Sequence, residues 1–169
     1  MRFQANSIQR KVGVVVLISA KIDFKIKKVK KDTERHFIMI KGIMHQEDLT
    51  LINISAPNQV APKYAKQLLT ELKGETDRNN IVAGDLNTPL LNMDRLSEQK
   101  ISKEITSLND TLDQQDIIDI YRAFHSKTAA YTFCSCTIGT TDHILGHRHS
   151  LNKYKRNESY QPYSLIILL

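Results

Sequence analysis

The stretch "NNIVAGDLNTPLL" (79–91) is a short apolar strand that runs directly into a turn carrying two polar side chains. Asp85 and Asn87 are two residues apart, so in an extended chain they point to the same side. Such a pair can shape a turn by bonding to its own backbone, or it can contact a cation, a water molecule or a phosphoryl oxygen. The short pattern alone favours the turn, and only the rest of the chain can change that balance.

The chain ahead of this stretch is dominated by runs of β-branched residues that alternate with polar ones. Four strands are predicted, at 12–19, 23–30, 35–43 and 49–55. "QED" (46–48) is the expected hairpin turn, and "APN" (56–58) ends the fourth strand because proline has no amide hydrogen to donate. Apolar residues at helical spacing predict a helix from Ala61 to Lys73 that stops at Gly74.

The chain after this stretch continues the mixture of helix and strand. Apolar residues at 101, 105, 108 and 112 predict a second amphipathic helix. "DIIDIYRAF" (116–124) suits either a helical turn or a short extended segment, and "YTFCSC" (131–136) and "TDHILG" (141–146) are the last predicted strands. This order indicates one α+β or layered α/β domain.

The 169-residue chain has a formal net charge of +6 and a pI of about 9.3, which favours a polyanionic partner without requiring one. Much of the excess lies between Lys21 and Lys31. A lysine-rich edge strand facing water explains that block equally well, and the block alone favours this interpretation.

Two cysteines, Cys134 and Cys136, are too close in sequence for a useful disulfide, and the chain offers them no other cysteine as a partner. A reducing, intracellular compartment is expected, nuclear or cytoplasmic. "VGVVVLISA" (12–20) follows basic residues as a secretion signal would, but it is valine-rich and interrupted by Gly13, so a buried strand is predicted instead. No stretch is long enough to span a membrane.

Other polar residues give weaker signals. Asp142 in "TTDHILG" (140–146) could orient the ring of a histidine from elsewhere, whereas His143 is expected to face the other way. His147 and His149 are two apart, but no neighbouring acidic or cysteine pattern supports a metal site. The remaining histidines, His36, His45 and His125, are interpreted as surface residues.

The order of motifs is more specific than any one of them. "LTLINISAPN", a helix, "IVAGDLNTPL", a second helix, "DIIDIYRAFH", "YTFCSC" and "TTDHILG" together resemble the endonuclease domain encoded by mammalian LINE-1 retrotransposons. That domain belongs to the endonuclease/exonuclease/phosphatase superfamily, with apurinic-site endonucleases and DNase I. The resemblance covers roughly residues 5–146. It implies a four-layered α/β sandwich, with two β-sheets flanked by helices, and magnesium-dependent nicking of DNA at AT-rich sites.

The resemblance also implies roles for individual residues. Asp85 matches the aspartate that activates or positions the attacking water, and Asn87 matches the asparagine that contacts the scissile phosphate. Asp142 matches the aspartate that orients the catalytic histidine. The positions that match residues approaching DNA are Asn58, Arg95 and Thr132.

The chain departs from the family pattern in three places. The glutamate that binds the metal would be expected ahead of Arg2, Ser55 replaces a tyrosine, and no histidine follows His149 to close the site. We therefore expect a truncated domain over residues 1–146 and a divergent, poorly ordered tail over 147–169. Mg²⁺ binding is doubtful on this basis, and the metal ligands are unassigned.

Three functional readings remain open. The first is a Mg²⁺-dependent DNA endonuclease, whose nicking activity is expected to be impaired or lost because the metal-binding glutamate and the catalytic histidine are missing. The second is a non-catalytic remnant with weak, salt-dependent DNA binding, or an unstable fragmentary gene product. The third, an unrelated basic interaction module, would treat the motif order as chance. The sequence predicts no membrane partner, and it leaves the oligomeric state open.

Overall fold

The computed structural model describes residues 1–6, 13–76, 78–91, 94, 101–125, 142–153 and 165–168. These residues form nine strands, three α-helices and one 3-10 helix. The strands are β1 (Arg2–Asn6), β2 (Gly13–Ile18), β3 (Phe24–Lys31), β4 (Phe37–Met44), β5 (Glu47–Ser55), β6 (Asn80–Asp85), β7 (Ile117–Asp119), β8 (Asp142–His147) and β9 (Leu165–Leu168). The helices are α1 (Ala61–Leu72), α2 (Lys103–Gln114), α3 (Ile120–Phe124) and the 3-10 helix Arg148–Lys153.

The strands are arranged in two sheets. The larger sheet has six strands in the order β3-β4-β5-β6-β8-β7, and all its pairs are antiparallel except β5–β6. The crossover between the parallel strands β5 and β6 contains α1, as a parallel connection requires. The smaller sheet has the order β1-β2-β9, with β9 parallel to β2.

The central strands of the larger sheet are covered on both faces. On one face, two valines and the isoleucine of β2 pack against alternating residues of β4 and β5, among them Ile38, Ile40 and Leu51. On the other face, α1 and α2 pack against Met39, Ile52, Ile54 and Val82. Burying both faces explains why the central strands are apolar almost throughout.

A buried amide also joins the two sheets. The Asn53 side chain is fully buried in β5, and its Nδ2 donates a hydrogen bond to the carbonyl oxygen of Val15 in β2, at 2.8 Å. Strand β5 is thus connected to the smaller sheet by Asn53, which is part of the motif "LTLINISAPN" (49–58). This fixes the second sheet against the first.

The structure confirms the predicted fold class, an α/β arrangement of two β-sheets and helices. Of the four layers that the resemblance implies, the described residues form three. Within the described residues the layers are the smaller sheet, the larger sheet and α1 with α2 outside it. The segment 116–124 adopts both of the conformations that the sequence left open, since β7 leads directly into α3.

Some details differ from the sequence expectations. The hairpin between β4 and β5 turns at His45 and Gln46, both with positive φ (51° and 67°), and Glu47 already belongs to β5. A two-residue turn with positive φ at both positions matches the twist of the flanking strands, so the turn is shorter than the predicted 46–48. Ile101 precedes α2 and is 41% exposed instead of lying on its buried face.

The predicted strand 131–136 lies outside the described residues. The region 147–169, where a poorly ordered tail is expected, contains the 3-10 helix and β9. Among the residues that the structure describes, no helix is both long and apolar enough to cross a membrane.

Candidate functional site

Three neighbouring strands place polar residues side by side at one end of the larger sheet. Ser55 ends β5 and is paired with Asp85 at the end of β6, which is in turn paired with Asp142 at the start of β8. Directly opposed residues project from the same face of a sheet, with Cβ atoms about 4.5–5.5 Å apart. We call the group Ser55, Asp85, Asn87 and Asp142 the aspartate edge.

The turn after β6 uses both candidate side chains locally. Oδ1 of Asp85 accepts a hydrogen bond from the Asn87 amide at 2.8 Å, and Nδ2 of Asn87 donates to the Ala56 carbonyl oxygen at 2.6 Å. Asn87 has a positive φ of 47°, a conformation that asparagine tolerates well. The pair therefore shapes the turn, and both side chains remain only half-buried.

Gly84 allows β6 to approach β5 closely, so that Asp85 lies beside Ser55. Its φ is +127°, and an added Cβ would lie 2.1 Å from the Ile54 carbonyl oxygen and 2.6 Å from Oδ1 of Asn53. Only glycine combines this conformation with so close an approach to the neighbouring strand. The glycine of "AGDLN" is thus part of what positions the candidate carboxylate.

A buried histidine supports the loop that carries Asn87. His143 follows Asp142 in β8 and faces the opposite way, as predicted; its Nδ1 donates to Oδ2 of Asp119 at 2.8 Å and its Nε2 to the Thr88 carbonyl oxygen at 2.9 Å. Both partners are acceptors, so both ring nitrogens must carry hydrogen. Burial lowers the pKa of His143, but the hydrogen bond and charge of Asp119 outweigh it, so that its pKa is raised.

The same loop is held further along by a buried ion pair. The Arg122 guanidinium pairs with the Asp94 carboxylate, and both side chains are almost completely buried. Oδ2 of Asp94 also accepts the Leu91 amide hydrogen at 2.9 Å, while Oδ1 of Asp119 accepts the Arg122 amide hydrogen at 3.1 Å. Asp119 thereby links His143 to the segment that carries Arg122.

His36 also lies at this end of the sheet, although the sequence suggested a surface residue. Its side chain is 15% exposed, and its Nδ1 donates to the Ser55 carbonyl oxygen at 2.9 Å. The ring packs edge-on against Tyr64 of α1. Nothing in the local sequence indicates this position, because the partners of His36 come from β5 and α1.

The three positions predicted to approach DNA have different outcomes. Asn58 is exposed in the turn after β5, three residues beyond Ser55. Arg95 and Thr132 lie outside the described residues, as do Cys134 and Cys136. The structure thus brings together Asp85, Asn87 and Asp142 and places Asn58 nearby in the chain.

The lysine-rich block forms the outer strand of the larger sheet. Its strand β3 carries a bulge between Ile26 and Lys28, and most of its residues are exposed. Lys28 and Lys30 both pair with Glu75, and these hydrogen bonds lower the pKa of Glu75 to about 2. Lys27 pairs with Asp48 at 2.5 Å. Acidic neighbours therefore offset part of the positive charge of this edge strand.

A second polar group lies at the opposite end of the same strands. One ligand atom each from Asp116, His147 and His149 lie within 4.8 Å of one another, and we call these three residues the histidine edge. Burial, and then the neighbouring His149 ring, lower the pKa of His147. The sequence shows the two histidines close together but no acidic residue beside them, because Asp116 comes from a distant part of the chain.

Comparison with solved structures identifies the fold. An AP endonuclease from Archaeoglobus fulgidus superposes with a TM-score of 0.60 at 15% identity, covering 76% of this chain and 61% of that one. The endonuclease domain of TRAS1, a telomere-specific non-LTR retrotransposon, gives 0.64 at 11% identity, covering 89% and 66%. The catalytic domain of Xenopus laevis APE2 gives 0.52 at 20% identity, covering 69% and 47%.

The chain thus has the DNase I-like fold of the endonuclease/exonuclease/phosphatase proteins. It spans 47% to 66% of the length of these three structures. No protein-family model matches the sequence.

Proposed function

We propose that this chain is an endonuclease-like domain of retrotransposon origin whose aspartate edge binds the phosphates of DNA. Its ancestral reaction is magnesium-dependent hydrolysis of a phosphodiester bond, and in this chain that reaction is impaired or lost. The observation that carries the proposal is the alignment of Ser55, Asp85 and Asp142 across three strands, at the end where the motif order places a nuclease site.

Asp85 and Asp142 offer the kind of oxygen ligands that magnesium prefers. Mg²⁺ prefers oxygen ligands and is usually held by one or two carboxylates, with water and substrate phosphate completing its coordination. Asp85 and Asp142 offer two carboxylates at directly paired positions, where like charges repel unless a cation lies between them. A magnesium ion bound there would neutralise charge on a scissile phosphate.

The roles of the protein groups follow from what each can donate or accept. Asp85 is suited to orient an attacking water through its carboxylate, and Asn87 to contact a phosphoryl oxygen through its amide. Both have a second task in the turn, since Asp85 accepts the Asn87 amide and Asn87 donates to Ala56. The turn therefore preorganises the two groups but also uses part of their hydrogen-bonding capacity.

Two features support impaired catalysis. Ser55 occupies the position where the family has a tyrosine, and its short side chain cannot reach as far as a phenol. Among the described residues, the only group of three His, Cys, Asp or Glu side chains with ligand atoms close enough for a metal ion lies at the other end of the strands. We infer that the aspartate edge shares magnesium with a DNA phosphate and does not hold it alone.

DNA binding with and without Mg²⁺ tests the phosphate site. We compare the parent chain with the double variant Asp85→Asn/Asp142→Asn, which keeps the size of both side chains and one acceptor oxygen in each but removes their charge, in filter binding across a salt series. Magnesium should strengthen binding by the parent more than by the variant, and binding should weaken as salt rises. The double variant Asp110→Asn/Asp113→Asn, at two exposed positions in α2, is the matched loss of two charges and should respond to magnesium as the parent does.

Two results would overturn parts of the proposal. Absence of binding at low salt, or an equal response to magnesium in parent and double variant, would remove the phosphate site. Conversion of supercoiled plasmid to the nicked form, dependent on magnesium and lost in Asp85→Asn, would show that the site is catalytically competent and that activity is not impaired.

A further inference from the structure

Three side chains from separate elements meet at the histidine edge. Asp116 immediately precedes β7, His147 ends β8, and His149 lies in the 3-10 helix that follows. Ile117 is paired with His147 across the two strands, which brings the residue before β7 beside the residues after β8. The spacing of their ligand atoms, all within 4.8 Å, is thus set by the strand register.

The backbone around this group is fixed by specific contacts. The Arg148 amide donates to the Asp116 carbonyl oxygen at 2.9 Å, and Asp116 has a positive φ of 53°. Nε of Arg148 also donates to Oδ1 of Asp116, at 3.2 Å. These contacts hold the carboxylate against the segment that carries both histidines, so the group does not depend on flexible side chains alone.

His149 has a buried neighbour that can orient its ring. Nε2 of His149 lies 3.3 Å from Oγ of Ser150, a residue that is 1% exposed and that also contacts Oδ1 of Asn79 at 3.3 Å. A histidine that binds a metal through one nitrogen commonly donates a hydrogen bond from the other. Ser150 can accept that hydrogen bond and so orient the ring.

We propose that Asp116, His147 and His149 form a binding site for a divalent transition metal of the zinc class. Two imidazoles and one carboxylate are a ligand set that zinc uses, with a fourth position left for water. Ligand atoms around a tetrahedral zinc are roughly 3.4 Å apart at metal–ligand distances of about 2.0–2.2 Å. Since Asp116 and His149 are exposed, small side-chain rotations suffice to close the group from 4.8 Å.

Arg148 sets a limit on the affinity of this site. Its guanidinium pairs with the carboxylate that the metal would use, and both side chains are more than half exposed. A carboxylate has two oxygens, so Arg148 can retain one while the other binds the cation. The site is independent of the proposed nuclease function, because it lies at the opposite end of β8 from Asp142.

Calorimetric titration with ZnCl₂ tests the proposal on the full chain. The titration uses a Cys134→Ser/Cys136→Ser background, which removes the thiolates that would otherwise bind zinc. One zinc ion per chain should bind, and Asp116→Asn should weaken binding by at least about tenfold, the lower end of what loss of a supporting partner costs. Asparagine tolerates the positive φ of Asp116 and keeps its shape, so the variant isolates the loss of the charged ligand.

A second variant and a control complete the test. His149→Ala should weaken zinc binding to a similar extent. Because His149 is exposed, this variant should fold as the background does, which circular dichroism checks. His45→Asn removes another exposed histidine, at a turn position with positive φ, and should bind zinc as the background does. Zinc binding that is absent from the background, or unchanged in Asp116→Asn and His149→Ala, overturns the proposal.

Discussion

The two ends of the larger sheet carry polar groups of different construction. At the aspartate edge, the loop after β6 is supported by buried polar contacts. His143 forms hydrogen bonds with Asp119 and Thr88, and Arg122 forms an ion pair with Asp94. At the histidine edge, the ion pair between Arg148 and Asp116 is more than half exposed. Asp142 and His147 are the two ends of β8, roughly 17 Å apart at about 3.3–3.4 Å per residue.

This difference indicates how each end would meet a ligand. The aspartate edge is preorganised, because its supporting groups are buried and have few alternative partners. At the histidine edge, strand register brings the three residues together, but Asp116 and His149 remain exposed to solvent. A bound cation would therefore have to fix the positions of these side chains. The following predictions test this contrast, in decreasing order of expected effect.

The largest effect is expected from breaking the buried ion pair. Arg122→Met leaves the Asp94 carboxylate buried without its guanidinium partner, which should lower the free energy of unfolding by about 3–5 kcal/mol. Urea denaturation measures the change.

Arg148→Gln is the matched removal of an arginine at the other end of the sheet. Exposed ion pairs contribute about 0–1 kcal/mol, so this variant should unfold close to the parent. Equal destabilisation by the two substitutions would contradict the contrast between a buried and an exposed edge.

A smaller but substantial effect is expected at Gly84. Gly84→Ala forces a side chain into the left-handed region and against the Ile54 carbonyl oxygen, which should cost roughly 2–3 kcal/mol or more and displace Asp85. Thermal denaturation measures the stability, and the magnesium-dependent gain in DNA affinity measures the displacement.

Gly74→Ala is the control for the loss of a glycine. An added Cβ at Gly74 meets nothing within 4 Å, so this variant should change stability little. If Gly84→Ala were as well tolerated as Gly74→Ala, the close approach of β5 and β6 would not be what positions Asp85.

The stability of the folded chain should depend on pH through the protonation of His143. Its pKa in the folded protein is raised above the unfolded value of about 6.5, so its stabilising contribution is complete below pH 6.5 and is lost as pH rises through the folded-state pKa. We expect a smaller effect than at Arg122, because Asp119 keeps the Arg122 amide as a donor. Urea denaturation at a series of pH values, compared with His143→Gln, should show this loss only in the parent.

His147 should give the opposite sign and the smallest effect. Its lowered pKa means that the unfolded chain binds a proton more readily, so the folded state loses stability as pH falls below about 6.5. The side chain is only half-buried, which keeps the effect small. His147→Gln should remove this acid-side loss, and an unchanged profile would show that the ring does not titrate as its environment indicates.

Much of the fold could be read from the sequence, because strand and helix signals are local. Alternation in β4 and β5 and the helical spacing of α1 depend on residues within one element, and these elements are found close to their predicted bounds. The order of the motifs along the chain also indicated the DNase I-like fold, through their resemblance to a known endonuclease family. The sequence predicts the β4–β5 turn too late in the chain, because the residue pattern does not show that His45 and Gln46 adopt positive φ.

The candidate site was accessible to sequence reasoning only in part. Asp85 and Asn87 are two residues apart, so their proximity follows from local geometry, whereas only the resemblance linked Asp142 to them. The roles of His36 and His143 could not be read in the same way. His143 reaches Asp119 and Thr88, and His36 reaches Ser55 and Tyr64, all of them brought together by the sheet and by α1.

The sequence by itself determined the strand that ends at Asp85, the turn that presents Asn87 and the order of motifs that predicted the DNase I-like fold. These follow from residue types at short spacing, where backbone geometry alone decides which side chains are neighbours. Only the tertiary structure decided that Ser55, Asp85 and Asp142 lie in one row and that Asp116 joins His147 and His149. Contacts of this kind depend on strand pairing between segments that are distant in the sequence, and the register of that pairing is set by the burial of whole sheet faces.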